Sequence, residues 1–248
     1  MPSASSCEKV GMMEIQSPSA GPGRSHLLWP LGAMLLVFLF IEFFGLDRPL
    51  AHALYYDDVT RRWLGSGAGD WWAHRLVHDA GRWCVRGVAA GALVGWVLSY
   101  LWPRARAWRE TSRFVFLALL LSTGVVGLLK VATNVDCPWD LTEFGGDRPY
   151  VTLLGDRPDN LPRAECFPGA HASSGFALVC FYFAWRDRSR RKALWALAGA
   201  CAVGLLFSFA QEARGAHFPS HDLASAALVW AIQLGLYSLM YRRFAAPT

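Results

Sequence analysis

The sequence predicts an all-α fold, a helical bundle that crosses a membrane several times. Of its 248 residues, 54% are hydrophobic and only 17% are charged, a balance that is unusual for a soluble domain. It also holds 12 tryptophans, a residue type that concentrates at the boundary between membrane and water. The apolar residues are gathered in long runs, which is typical of helices that cross a bilayer.

Six apolar runs predict about six transmembrane helices. The first, fifth and sixth runs come close to the roughly 20 residues of a full span, whereas the other three need flanking residues to cross. The fourth run has the weakest support from hydropathy. The runs cover residues 27–45, 87–102, 114–129, 172–185, 193–210 and 223–241.

The chain divides into a tail and one membrane domain. Residues 1–25 are polar and rich in Ser, Gly and Pro, which predicts a disordered cytoplasmic tail. Residues 26–248 are predicted to form a single transmembrane domain. The tail shows no short apolar stretch that ends in a small-residue cleavage site, so we expect the first run to remain as an anchor.

The basic residues predict the orientation. Loops 103–113 and 186–192 are dense in Arg and Lys, whereas loop 133–170 carries three arginines against seven acids. Because cytoplasmic loops are enriched in basic residues, we expect both termini in the cytoplasm of a multi-pass protein of the plasma (inner) membrane. Loops 46–83, 133–170 and 211–222 then face outward. The net charge of +5 is explained by topology, so we expect no nucleic-acid partner.

Two features of the outward loops stay open at this stage. Cys137 and Cys166 bracket the loop on the oxidising side, and their spacing leaves a disulfide between them undecided. The segment DWWAHRLVHDAGRW, residues 70–83, is interpreted as a helix along the membrane interface rather than a free loop.

Ionisable residues collect at three helix ends that the charge rule sends to the same, outer side. Such residues at membrane depth are costly and usually mark a function. They are Lys130 at the end of the third run, His171 at the start of the fourth, and Arg214, His217, His221 and Asp222 before the sixth.

Each of these residues also has a plain structural explanation. Lys130 can snorkel to the interface, as terminal lysines do. His171 can be an interfacial or capping residue. Ser220 followed by Asp222 resembles an N-cap with an acid in the first helical turn. The occurrence of three clusters at one level of the bundle favours a shared site over three separate explanations.

The residue types point to phosphoryl transfer. A lysine and an arginine neutralise phosphate oxygens, and the planar guanidinium matches their geometry. One histidine can attack phosphorus while the other protonates the leaving oxygen. We therefore expect a reaction that uses no metal and no other cofactor, since the fixed cations stabilise the developing charge.

These segments resemble the motifs of the type 2 phosphatidic acid phosphatase (PAP2) superfamily, which also includes vanadium-dependent haloperoxidases. The family pattern is K-x6-R-P, then P-S-G-H, then S-R-x5-H-x3-D. Here six residues separate Lys130 from Cys137-Pro138, the second block reads Pro168-Gly169-Ala170-His171, and the third contains His217 followed by His221. Order and spacing agree over roughly residues 85–241.

The resemblance implies a role for each matched residue. Lys130 binds phosphate, His171 is the general acid for the leaving group, and His217 forms a phosphohistidine that water hydrolyses. Family members act on lipid phosphates and diphosphates, often at the outer leaflet and without a metal. The resemblance therefore implies a membrane-embedded lipid phosphate phosphatase with a PAP2/haloperoxidase-like helical fold.

The motifs also depart from the family pattern. Cys137 and Gln211 stand where the family has arginines, and Arg214 lies one helical turn after Gln211. Arg148, Arg157 and Arg163 are candidates to replace the first of these arginines. Gly169 stands in place of a serine, with Ser173 nearby as a supporting candidate. His221 replaces the acid that orients the nucleophile, which leaves His221 itself, Asp222, Asp136, Asp140 or Glu212 for that task.

Two other functions stay open on the sequence alone. The missing acid allows a catalytically degenerate protein that binds or transports a lipid without hydrolysing it. Less favoured is a membrane metalloprotein that uses His217, His221 and His171 as ligands, since Lys130 and Arg214 would repel a cation. Sequence does not identify the lipid or the oligomeric state; phosphatidic acid, phosphatidylglycerophosphate, a polyprenyl diphosphate and the phosphates of lipid A all stay candidates.

Overall fold

A computed structural model describes residues 27–241 of the chain, and the tail predicted for residues 1–25 lies outside the described part. The described part is helical apart from loops and one two-residue strand pair, in which Tyr56 faces Trp63 in antiparallel register. The helices are α1 Leu28–Phe44, α2 Asp47–Leu54, α3 Gly81–Leu101, α4 Arg109–Thr133, α5 Ala170–Phe176, α6 Cys180–Trp185, α7 Arg190–Glu212 and α8 Pro219–Tyr241. The all-α fold class is confirmed.

Helices form at all six apolar runs, but four of them are long and apolar enough to cross a membrane. A fifth span is obtained if α1 and α2, which meet at 91°, count as one broken span. The number of spans is therefore four or five, fewer than the six predicted, and the fourth apolar run is the one that does not form a full span. It forms α5 and α6 with a 3₁₀ turn at Ala177–Val179 between them. These 16 residues reach only about 24 Å, against a hydrocarbon core of about 30 Å.

The short α5–α6 segment lies inside the bundle. It packs against α4, α7 and α8. The closest approach is between α5 and α7, where a β-carbon on Gly175 would come within 2.9 Å of the Gly204 Cα atom. Glycine at both positions therefore allows the two backbones to touch, which fixes the end of α5 relative to α7. The buried core around this contact includes Phe114, Phe183 and Phe207.

Lipid-facing surfaces are visible on α1. Its Trp29, Leu36 and Phe43 side chains are 76%, 71% and 83% exposed, which is expected of a helix that faces hydrocarbon rather than water. The predicted interfacial segment is also helical. Residues Trp71–Ala80 form a π-helix that runs directly into α3.

Loops 46–83, 133–170 and 211–222, predicted from the sequence to face outward, form a cap over one end of the bundle. The cap fixes the turn between α7 and α8 through two backbone hydrogen bonds, from Gly65 N–H to the Ala213 carbonyl (2.7 Å) and from Trp139 N–H to the Gly215 carbonyl (2.9 Å). Gly215 has a φ of 72°, and a β-carbon there would overlap the Trp63 ring. Only glycine fits this turn without strain.

The long loop between α4 and α5 is tied down at two points. The Cys137–Cys166 disulfide left open by the sequence is formed, with Cα atoms 5.2 Å apart. Arg148 and Arg157 both donate to the carboxylate of Asp136, at 2.6 and 2.8 Å. The loop is therefore an ordered wall over the bundle end.

Candidate active site

A cavity of about 750 Å³ opens at the capped end of the bundle. Lys130, His171, Arg214 and His217 all line it. These four residues come from three segments far apart in the chain, and the sequence analysis assigned all four to one phosphate site. The structure brings them around a common space.

Local structure explains how each side chain reaches the cavity. Lys130 lies in the last turn of α4, which ends where Asn134 adopts a left-handed conformation. His171 is the second residue of α5. Arg214 and His217 lie in the turn between α7 and α8 that the cap holds in place. Both cations therefore stand at helix ends.

Arg214 is half-buried and partly fixed by its neighbours. Its Nη1 donates to Gln211 Oε1 at 3.3 Å, and its guanidinium carbon lies 5.8 Å from the centre of the Trp139 ring. Burial lowers the pKa of Arg214, while Asp70 and Asp79 oppose that effect. Gln211 also lines the cavity. Gln211 stands where the resembled motif has an arginine, and Arg214, one helical turn further along the chain, brings a positive charge to the same cavity.

His217 is buried in the wall of the cavity, with 5% of its surface exposed. Burial lowers its pKa well below the ordinary 6.5, and the nearby His221 and Lys130 act in the same direction. The imidazole is therefore neutral near pH 7, the form that has a lone pair for attack on phosphorus. Its buried Nδ1 atom has no hydrogen-bond partner.

His171 is held between two rings. It stacks on Phe207 with ring centres 4.3 Å apart, and His78 packs on it at 4.5 Å. Its Nε2 atom is buried without a hydrogen-bond partner. These contacts fix the orientation of the imidazole ring relative to the cavity.

The three supporting residues predicted from the sequence are not among those that line this cavity. Ser173 is fully buried and donates to the Ala170 carbonyl at 2.7 Å. His221 packs edge-on against Phe167, and its ring centre lies 5.9 Å from that of His217. Asp222 is 2% exposed, and neither of its carboxylate oxygens has a hydrogen-bond partner.

Among the candidates for the orienting acid, none is paired with His217 Nδ1, the buried ring atom that lacks a partner. Asp136 is occupied by two arginines. Asp140 lines the cavity, and its Oδ2 lies 3.4 Å from Arg148 Nη1. Glu212 is buried and is not among the cavity-lining residues.

Additional arginines line the cavity. Arg148 and Arg163 of the long loop do so, whereas Arg157 does not. Arg82 and Arg86 of α3 also line it, and sequence reasoning missed both. The signal was their spacing, since His78, Arg82 and Arg86 follow one another at intervals of four residues and therefore share a helix face.

The cavity changes character with depth. Beyond the cationic end, the space between α3 and α4 is lined by Val85, Ala89, Phe116, Leu119 and Leu120. Phe116 precedes Lys130 by fourteen residues on one helix, about 21 Å along the axis. Leu120 is 52% exposed on the outer surface of the bundle. A charged compartment and an apolar crevice therefore adjoin in one cavity.

The metal ligand set considered from the sequence, His171, His217 and His221, is not a cluster of converging ligand atoms. In residues 27–241, the side chains that could together hold a metal ion are instead His74, His78 and Asp79. Their ligand atoms all lie within 4.8 Å of one another.

Comparison with protein families agrees with the fold. A sequence model described as the PAP2 superfamily matches residues 112–245, more than half of the chain. The fold and site thus define a multi-pass membrane protein, and the chain belongs to the PAP2 superfamily. The match includes Lys130, His171, Arg214 and His217 and begins after α3. Searches of curated proteins and of solved structures found no match.

Proposed function

We propose that the chain is an integral membrane phosphatase that hydrolyses the phosphate monoester or diphosphate of a lipid. The observation that carries this proposal is the convergence of Lys130, His171, Arg214 and His217 on one cavity. Membership of a superfamily whose members are typically phosphatases supports it.

The chemistry proceeds in two steps. His217 attacks phosphorus, the bond from phosphorus to the lipid oxygen breaks, and His171 gives its proton to that oxygen. Water then attacks the phosphohistidine and gives a proton to His171, the bond between phosphorus and nitrogen breaks, and inorganic phosphate leaves. Lys130 and Arg214 neutralise the phosphate oxygens in both steps, so the residues themselves supply the stabilisation of charge.

The apolar crevice supports a lipid as the substrate. The cations at the capped end suit a phosphate group, whereas the apolar crevice between α3 and α4 suits an alkyl chain. The exposed Leu120, which lines the crevice, supports an entrance from the surface that faces hydrocarbon. The substrate can thus enter from the bilayer with its head group at the capped end.

Two observations support an orientation in the membrane. The loops after α3 and after α6 carry the dense basic residues, which favours a cytoplasmic location for both termini. The Cys137–Cys166 disulfide lies in the cap, and disulfides persist on the oxidising side of a membrane. We therefore place the site on the outer face of the plasma (inner) membrane.

A second candidate function is lipid binding without turnover. It is favoured by the unpartnered Nδ1 of His217, because an orienting acid normally holds the tautomer and stabilises the charged ring. Arg214 supports the phosphatase function instead, because it supplies the positive charge that is missing where Gln211 replaces the arginine of the motif.

Phosphate release from a small panel of lipid phosphates separates the two functions. Protein purified in detergent is assayed in EDTA, and His217→Ala and His171→Ala are compared with the unaltered chain. We expect release by the unaltered chain and loss of release in both variants. Binding of a lipid phosphate with no release from any substrate would favour the second function. Full activity of His217→Ala would overturn the mechanism.

A further inference from the structure

A cluster of side chains of metal-binding types lies at the rim of the cavity, and none of its members is among the four residues proposed to carry the phosphatase chemistry. His74, His78 and Asp79 belong to the π-helix Trp71–Ala80, and their ligand atoms all lie within 4.8 Å of one another. His78 also lines the cavity. We propose that these three residues bind a divalent transition-metal ion such as Zn²⁺.

The backbone accounts for the convergence. In a π-helix the hydrogen bonds link residues five apart, one more than in an α-helix. His74 therefore lies below both His78 and Asp79, and all three side chains share one face. Turns of this kind are rare and often occur at functional sites. The π-helix continues into α3, so the cluster stands on a rigid support.

The donor set selects the kind of ion. Two imidazoles and one carboxylate are ligands that Zn²⁺ takes, and a fourth position stays open for water or a further ligand. Mg²⁺ and Ca²⁺ prefer oxygen ligands, so two histidines disfavour them. Asp70 adds a second carboxylate nearby, with its Oδ1 atom 3.6 Å from His74 Nδ1.

Two contacts of the cluster compete with a metal ion, and the first joins two of the proposed ligands, His78 Nδ1 and Asp79 Oδ1, at 3.1 Å. Arg82 Nη2 lies 3.3 Å from Asp79 Oδ1, but both side chains are about 40% exposed. An ion pair in that environment is screened by solvent and contributes little, so a metal ion can displace the guanidinium. His78 also packs on His171, with ring centres 4.5 Å apart, so an ion bound by His78 would lie next to the wall of the cavity.

Titration calorimetry with Zn²⁺ tests the proposal. The full chain is purified with a tag that contains no histidine, treated with EDTA and dialysed. Cys84 is exposed on α3 and can bind zinc itself, so every protein carries Cys84→Ser. We expect one Zn²⁺ per chain. His74→Ala, His78→Ala and Asp79→Ala each weaken binding by about tenfold or more, because even loss of a residue that only orients a ligand has that effect.

His52→Ala is the matched control. Both ring nitrogens of His52 contact carboxylates, Asp58 at 2.8 Å and Glu143 at 3.0 Å, but His52 is outside the cluster. It should bind Zn²⁺ like the reference protein. Zinc should also raise the midpoint of thermal unfolding of the reference protein and not that of His74→Ala, since a ligand stabilises the state it binds.

Equal zinc affinity in the reference protein and all three cluster variants would overturn the proposal. It would also be overturned if the unaltered chain bound Zn²⁺ and the reference protein, which differs from it only by Cys84→Ser, did not. Neither result concerns phosphate release, which is measured in EDTA. The failure of the metal site and the failure of the proposed phosphatase function can therefore be told apart.

Discussion

The backbone of Gly169 lies directly against the carboxylate of Asp222. A β-carbon on Gly169 would overlap the Asp222 Oδ1 atom, so no side chain fits between them. The contact joins the start of α5 to the start of α8, and Gly169 N–H donates to the His221 carbonyl at 3.1 Å. Two departures from the family pattern are thus one feature: the glycine makes room for the acid.

This contact predicts the effect of restoring the serine of the family motif. Gly169→Ser should destabilise the protein by about 1–3 kcal/mol, because the side chain is forced into a filled space. Adding Asp222→Ala should recover most of that loss, whereas Asp222→Asn should not, since the amide keeps the volume of the carboxylate. Thermal unfolding in detergent of the single and double variants measures the coupling. Additive effects would show that the two residues do not share this space.

Removal of a cavity cation should slow the reaction strongly. Lys130→Met and Arg214→Gln should each reduce phosphate release by about 100-fold or more, because a charge that stabilises the transition state is lost. Lys192→Met is the control, since Lys192 is exposed at the opposite end of the bundle and should leave activity within about twofold. If Lys130→Met and Lys192→Met released phosphate at similar rates, Lys130 would not be part of the active site.

Filling the apolar crevice should affect long-chain substrates selectively. Ala89→Trp should raise the KM for a long-chain lipid phosphate by about tenfold, while hydrolysis of a short, water-soluble phosphate ester changes little. Ala90→Trp introduces the same ring at the neighbouring, exposed position, which does not line the cavity. If the two variants discriminate between chain lengths equally, the crevice does not bind the alkyl chain.

The disulfide should contribute to the stability of the cap. Cys137→Ser with Cys166→Ser should lower the free energy of unfolding by about 2–4 kcal/mol, since the bond closes a loop between residues 29 apart. The midpoint of thermal unfolding should fall, and a reducing agent should produce the same fall in the unaltered chain. Cys84→Ser changes a free thiol and should leave the midpoint unchanged.

The sequence was sufficient for what depends on local pattern. Apolar runs predicted the positions of the helices, and motif spacing selected Lys130, His171, Arg214 and His217. It overestimated the spans, because hydropathy does not distinguish a short buried segment such as α5–α6 from a full crossing.

Features that arise from long-range packing were not accessible in this way. Spacing groups Arg82 and Arg86 on one face of α3, but they join the cavity only because α3 packs beside α4, which their spacing does not show. The contact of Gly169 with Asp222 likewise depends on the approach of α5 to α8. The sequence showed a missing serine and a displaced acid but not that one accommodates the other.

Trapping of the phosphorylated intermediate tests the central claim most directly. The protein is mixed with a lipid phosphate labelled on phosphorus, quenched in alkali, where phosphohistidine survives, and digested. We expect the label on the peptide that contains His217, and we expect no label in the His217→Ala variant. Turnover of the lipid without label on His217, or with label on another residue, would contradict the claim.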